Sequence, residues 1–444
     1  MGFHTAKDRW IDWLFFLILI GLSPVFLFPT IDKTPLYFIF PLLWLFKWKK
    51  TGQFLDKIVL DLALFLLLFQ VFVAGLTVPD LLISLPKISG IVFGVFLFYS
   101  LVGILKSENL LKIGILIFLF SGIAISIVGL LDMIRTDNYL DVINTLTSFI
   151  PKLNYSLPGT EEGINPNLIG GTTVLVIPLF FVLIISYLRK QGLKYSLFEN
   201  KVFLIYLYIG IVISCSVLVL TQSRGSWIGL ALSASLFFFR GKRGIKIGLL
   251  LMACFVFAYF VLLGPTEIGK GIHQASGSVS NRVELWSLAV HKIGEKPLTG
   301  MGLNYFRQIP EVGYSMAHAH NHYLHTAAEL GIPALVAYLA ILIGAAYMSV
   351  EVWWKGKTGW MRPAVLGLGA GQLAYFVFGI GDSHALGAKA GIVFWMSLAL
   401  ITAIFNYERF GKGRTNERAH EKTTTIPNST ARENDRERGE NYSK

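Results

Sequence analysis

Long apolar runs separated by short polar breaks dominate the chain. A bilayer crossing needs roughly 20 predominantly apolar residues in a helix. Runs that meet or approach this length lie at 10–29, 35–48, 57–76, 88–105, 110–131 and 164–188, then at 201–220, 225–240, 244–264, 330–354, 361–381 and 388–406. The pattern predicts an all-α, polytopic integral membrane protein with about 12 transmembrane helices. The second run is short and holds Pro35 and Pro41, and the break after the seventh rests on Gln222, Ser223, Arg224 and Gly225. The first run is too long for a signal-peptide core and no small-residue cleavage site follows it, so it reads as a retained helix.

Two segments depart from the pattern. Residues 265–329 form a long polar stretch between the ninth and tenth runs, and residues 407–444 mix both charges with Ser, Thr and Asn. The expected organisation is one membrane-embedded catalytic domain over 1–406, carrying the polar loop, followed by a disordered tail. No internal repeat is visible and the long loop sits off-centre, which argues against two equivalent transporter halves.

Composition agrees: of 444 residues, 54% are hydrophobic and only 15% charged, against roughly 25% charged in a soluble domain. The mean hydropathy is +0.60. Lys and Arg outnumber Asp and Glu by 39 to 27. These cations cluster in alternate short loops, which points to positive-inside topology rather than nucleic acid. One side collects Lys7/Arg9, Lys47/Lys49/Lys50/Lys57, Lys106/Lys112, Arg189/Lys190/Lys194/Lys201, Arg240/Lys242/Arg243/Lys246 and Lys355/Lys357/Arg362. The other side has Lys33, Lys87, Lys389 and an acidic loop with Asp132, Asp137, Asp141, Glu161 and Glu162. Both termini are therefore expected in the cytoplasm and the 265–329 loop outside. Cys215 and Cys254 lie in separate apolar runs with neither metal spacing nor a disulfide framework.

Candidate chemistry gathers on the outer side. Arg224, in Thr221-Gln222-Ser223-Arg224-Gly225-Ser226, sits at the expected membrane boundary, where a guanidinium either snorkels or faces a wet cavity with a partner. Arg282, in Asn281-Arg282-Val283-Glu284-Leu285-Trp286, could pair with Glu284 or join Arg224. Two planar donor forks suit a diphosphate and the charge it carries as a leaving group. Four of nine histidines fall in His318-Ala319-His320-Asn321-His322-Tyr323-Leu324-His325. His318 and His322 have the i,i+4 spacing of two ligands on one helix face, but no carboxylate lies among them and the next acid is Glu329. A histidine is equally suited to act as general base near neutral pH, or to be a polar interface residue. The Gly-x-Gly in Lys296-Pro297-Leu298-Thr299-Gly300-Met301-Gly302-Leu303-Asn304 lacks a preceding strand, and reads as a turn with backbone N–H groups free to line a polar cleft. Asn165, in Gly163-Ile164-Asn165-Pro166-Asn167, reads first as a helix cap.

In this order the segments resemble the O-antigen ligase and polymerase superfamily. The likeness rests on Ser223-Arg224-Gly225, Asn281-Arg282 with Trp286, Pro297 to Gly302, and Asn165-Pro166-Asn167. It also rests on His320-Asn321, followed by nine residues and Gly331, which matches the His-Asn-x9-Gly pattern of O-antigen ligases. The resemblance covers about residues 160–380. It implies inverting, metal-independent glycosyl transfer on the outer face of the cell (inner) membrane, from a glycan on undecaprenyl diphosphate, with no cofactor. It implies His320 as general base and Arg224 and Arg282 as diphosphate ligands. Asn321, Asn165, Asn167, Trp286 and Asn304 are candidate substrate contacts. The His-Asn-x9-Gly pattern favours a ligase acting on lipid A-core over a polymerase using the same donor. A transporter, the reading from another class, would place its charges near the bilayer midplane rather than at the outer boundary.

Overall fold

The computed structural model describes residues 9–52, 55–136, 164–189, 200–235, 279–309, 318–383 and 386–411. Among these residues all regular structure is helical. The first helices are α1 (Arg9–Gly21), α2 (Ser23–Leu27), α3 (Ile39–Thr51), α4 (Asp61–Thr77), α5 (Leu81–Ile104) and α6 (Glu108–Thr136). Then follow α7 (Pro166–Thr173), α8 (Ile177–Leu188), α9 (Lys201–Leu220), α10 (Arg224–Ser235) and α11 (Val279–Glu295). The last are α12 (His322–Leu330), α13 (Ile332–Lys355), α14 (Met361–Gly381) and α15 (Ile392–Asn406).

Seven helical stretches among the described residues are long and apolar enough to cross a membrane. They correspond to α5, α6, α7–α8 taken together, α9, α13, α14 and α15 with its flanking turns. Trp10–Gly21 and Asp61–Thr77 are shorter apolar helices. The eighth run is described only as far as Ser235, and the ninth, 244–264, lies outside the described residues.

Local chemistry explains where the elements depart from the expected boundaries. The second run opens as a 3-10 segment, Ile31–Phe38, with Pro35 inside it, before α3 begins. The fourth begins at Leu81 rather than 88, because the Asp80 side chain accepts the Leu82 N–H at 2.9 Å and caps it. Pro86 then falls inside the helix. The sixth is split between α7 and α8, with Pro178 in the first turn of α8. Beyond α15 the chain continues as a π turn, Tyr407–Gly411. Its Glu408 accepts the backbone N–H groups of Lys357 and Thr358 at 2.8 and 2.9 Å. Described structure continues through Gly411, and residues 412–444 of the expected tail lie outside the described residues.

Four charges tie one end of the bundle together. Lys47 on α3 donates to Asp12 on α1 at 2.8 Å, and Lys106, just past α5, reaches Asp56 at 2.9 Å and Asp12 at 3.7 Å. The start of α1 and the ends of α3 and α5 therefore share one end, as the alternation of basic loops requires. At the other end the polar 265–329 stretch is more than a connection. Its described part packs a second core from Leu285, Ala289, Phe306, Ile309, Ala319 and Ala328, built between α11 and α12.

Helix α14 is the hub. It packs against α7, α8, α10, α12, α13 and α15. Lipid supplies no hydrophobic drive between helices, so close association depends on small residues that let backbones approach. A Cβ on Gly371 would sit 2.2 Å from the Leu175 carbonyl oxygen, and one on Gly229 of α10 would sit 2.3 Å from the Ala374 oxygen. Gly371→Ala should therefore force α8 away from α14, with the overpacking cost of about 1–3 kcal/mol, and lower the melting temperature in detergent. Ile343→Ala, on an exposed position of α13, should leave it nearly unchanged.

Candidate active site

The histidine segment lies where α12 begins. Asn321 caps the helix, its Oδ1 accepting the Tyr323 and Leu324 N–H groups, both at 3.0 Å. Its Nδ2 donates to the Ile380 carbonyl near the end of α14 at 3.1 Å. Gly331 closes the same helix with φ +85°. The nine residues of the His-Asn-x9-Gly pattern are thus one capped helix, His322–Leu330. His318 lies before the helix starts, so the i,i+4 pairing of His318 with His322 on one helix face is not formed.

Between His318 and His320, Ala319 is fully buried in the second core. The two flanking rings lie against each other with centroids 4.4 Å apart. Both face Asp382, the residue that ends α14. Its Oδ1 lies 3.3 Å from His320 Nδ1 and 3.7 Å from His318 Nε2, and accepts the Ser383 N–H at 2.8 Å. His320 Nδ1 approaches Asp382 without the alignment of a hydrogen bond. The His320 backbone N–H donates to His318 Nδ1 at 3.2 Å, which places the His318 proton on Nε2, toward the carboxylate. Burial opposes ionisation of Asp382, but the two imidazoles and the Ser383 amide outweigh it and hold the carboxyl below its ordinary value. Asp382 is therefore an anion at neutral pH, the carboxylate that the histidine segment itself lacks.

The last turn of α14 also meets the arginines. Arg282 on α11 places its Nη1 3.9 Å from where a Cβ on Gly381 would lie. One turn along α11, Trp286 Nε1 donates to the His320 carbonyl at 3.4 Å. Arg224 is the first residue of α10, and the Cβ position of adjacent Gly225 lies 3.4 Å from the Phe378 ring. His320 and Arg282 are thus at Asp382 and Gly381, and Gly225, the neighbour of Arg224, packs on Phe378 one turn earlier. The turn that presents Arg224 is packed from outside. A Cβ on Gly170 of α7 would sit 2.8 Å from Ser223 Cβ, so α7 packs on this turn. Asn165 caps α7 by accepting the Asn167 N–H at 2.9 Å.

Backbone strain marks the same segments. The non-glycine residues with positive φ among those described are Gln222 (+49°), Asn304 (+66°) and His320 (+48°). Such conformations are uncommon outside glycine and cluster at functional sites.

The Pro297–Asn304 turn differs from expectation, because its N–H groups are engaged rather than free. Gly300 N donates to Lys296 O at 3.0 Å, Met301 N to Ala328 O at 2.9 Å and Gly302 N to Glu329 O at 3.0 Å. The turn pairs with the end of α12 and fixes its position, and Asn304 Nδ2 secures it to α5 through the Ile83 carbonyl at 3.0 Å. Beneath lies a buried group invisible to sequence spacing. Lys87 Nζ contacts Glu329 Oε2 at 3.0 Å and His325 Nε2 at 3.3 Å, and Glu329 Oε1 accepts the Phe306 N–H at 3.3 Å. Burial first, then the charges of Lys87 and the other three histidines, holds His325 well below the ordinary histidine value. Glu329 Oε2 lies 3.4 Å from His325 Nε2. Asp382 and Glu329 were the residues missed. Asp382 had one legible sign, an acid closing an apolar run at its outer end.

A histidine beside a buried carboxylate, with a guanidinium at the adjoining residue, at one end of an apolar bundle, defines a membrane-embedded protein with a site suited to proton transfer next to an anion. Residues 209–339 match the family model described as O-antigen ligase, so this part of the chain is similar to the O-antigen ligase and polymerase superfamily. The match contains Arg224, Arg282, His320 and Gly331; Asp382 and Asn165 lie outside it. No curated protein matches the chain.

The buried histidine gives a pH dependence of stability. Below about pH 6.5, the ordinary histidine value, the unfolded chain binds a proton that His325 in the fold refuses. Stability is then full above that pH and declines as pH falls toward the lower folded value. The melting temperature of the detergent-solubilised protein should drop from about pH 6.5 downward, and His325→Gln should flatten part of that slope.

Proposed function

We propose that the protein is an inverting glycosyltransferase. It moves a glycan from undecaprenyl diphosphate to an acceptor hydroxyl on the outer face of the cell (inner) membrane, most simply as an O-antigen ligase acting on lipid A-core. The observation that carries this reading is the meeting of His320, Asp382 and Arg282 at the outer end of α14. The excess of Lys and Arg in the opposite loops supports the assignment of this end to the outside.

His320 Nδ1 faces Asp382, which leaves Nε2 to accept the proton of the acceptor hydroxyl. The oxygen attacks the anomeric carbon from the side opposite the diphosphate, and the bond from that carbon to the diphosphate oxygen breaks with its electron pair. Asp382 stabilises the imidazolium that forms. Arg282 and Arg224 hold the diphosphate and the charge it carries away. Because this leaving group already departs as an anion held by guanidiniums, the scheme requires no metal ion. The prenyl tail stays in lipid while diphosphate and sugars lie in the polar region roofed by α11 and α12.

In purified, chelator-treated protein given a prenyl-diphosphate-linked glycan, His320→Ala should lower turnover by about 10²–10⁴-fold, the usual contribution of a general base. Asp382→Asn should lower it by at least about tenfold. Arg282→Lys should retain more activity than Arg282→Ala, since charge survives but the planar fork does not. Unchanged turnover in folded His320→Ala protein would remove the proposed base. In the same assay, lipid A-core as the sole competent acceptor defines a ligase, and lengthening of carrier-bound chains defines a polymerase.

A further inference from the structure

We propose that His318, His320 and Asp382 form a binding site for Zn2+, and that an ion bound there switches the base off. The first half stands on geometry alone; the second rests on the glycosyltransferase reading above.

The three side chains offer one ligand atom each, and these atoms lie within 4.8 Å of one another. Zinc bonds of about 2.0–2.1 Å in a tetrahedron place ligand atoms roughly 3.3–3.4 Å apart. The existing separations from Asp382 Oδ1 are 3.3 Å to His320 Nδ1 and 3.7 Å to His318 Nε2. Small rotations of the two rings therefore complete the site. Both imidazoles are oriented in advance. His318 Nδ1 is held by the His320 backbone N–H at 3.2 Å, so its Nε2 is the atom turned to the site. His320 Nδ1 is buried and turned to the Asp382 carboxylate at 3.3 Å. The carboxylate is an anion, and the Ser383 amide holds it from behind at 2.8 Å, the kind of outer support that fixes a ligand's direction. Two imidazoles and one carboxylate leave a fourth position open for water, as in three-ligand zinc sites. The Arg282 guanidinium beside Gly381 opposes a dication, so the site is of moderate strength, filled by added zinc and emptied by EDTA.

The consequence for the base follows from the tautomer. A neutral imidazole coordinated through Nδ1 keeps its proton on Nε2. That nitrogen is the acceptor for the hydroxyl proton, and once it carries a proton it has no lone pair to take another. The ion also withdraws Asp382 from stabilising an imidazolium. Zinc thus stops turnover without competing for donor or acceptor.

The test uses full-length, tag-free protein in detergent, stripped with EDTA and titrated first with Co2+, whose visible absorption reports a four-coordinate nitrogen and oxygen site, then with Zn2+ in competition. Wild-type protein should bind one ion with that signature, and His318→Ala and Asp382→Asn should each weaken it by about 10–100-fold. If Asp382→Asn fails to fold, His318→Ala decides alone. In the transfer assay, zinc should suppress wild-type turnover at saturating donor and acceptor, with recovery on EDTA. His318→Ala, compared with its own metal-free rate, should resist the same concentration. Absence of the cobalt signature, or equal binding by His318→Ala, overturns the site. Binding accompanied by faster transfer overturns the inhibitory role. A protein that binds zinc here but transfers no glycan sinks the glycosyltransferase reading and leaves the site standing.

Discussion

Everything at the Asp382 end of the bundle depends on how closely other backbones approach α14. In lipid, helices gain little from burying apolar surface, so contact depends on shape and on small residues. Gly371 admits the Leu175 carbonyl and Gly229 admits the Ala374 carbonyl, at distances no side chain would allow. These contacts set the depth of α8 and α10 against α14. Once α10 is seated, Gly225 in its first turn packs on Phe378, one helical turn from Asp382. The site is thus positioned by packing well inside the bundle.

The same economy governs the polar residues around the site. Asn321, Trp286, Asn304 and Asn165 each spend hydrogen-bonding groups on backbone atoms of the protein. They fix a helix start, the carbonyl of His320, a turn on α5 and the helix that backs the Arg224 turn. Lys87 and Glu329 neutralise each other beneath α12 and hold His325 in place. Removing one member would leave an uncompensated buried charge, a large cost.

Much of this was legible in the sequence, for reasons that can be named. Apolar length gave the membrane class because a bilayer imposes it. The His-Asn-x9-Gly spacing carried real geometry, since Asn is the cap and Gly the stop of a nine-residue helix. The strained positions were also within the segments singled out, at Gln222, Asn304 and His320. What failed was whatever depended on long-range pairing. The Gly300–Gly302 amides were expected to face a cleft, but the end of α12 takes them. Asp382 was missed because nothing local links it to His320; only the fold brings the end of α14 against the loop before α12. The i,i+4 reading of His318 and His322, one of three weighed, needs a helix through both, and the helix starts only at His322.

That missing carboxylate changes the chemistry more than any other correction. An isolated histidine is a base of ordinary strength whose orientation is free. Beside an anion held by the Ser383 amide, one nitrogen is committed and the other is presented outward. The arrangement that orients an imidazole for proton transfer is the same one that offers nitrogen and oxygen lone pairs to a soft dication. Both the proposed base and the proposed zinc site rest on a single contact, His320 Nδ1 at 3.3 Å from Asp382 Oδ1.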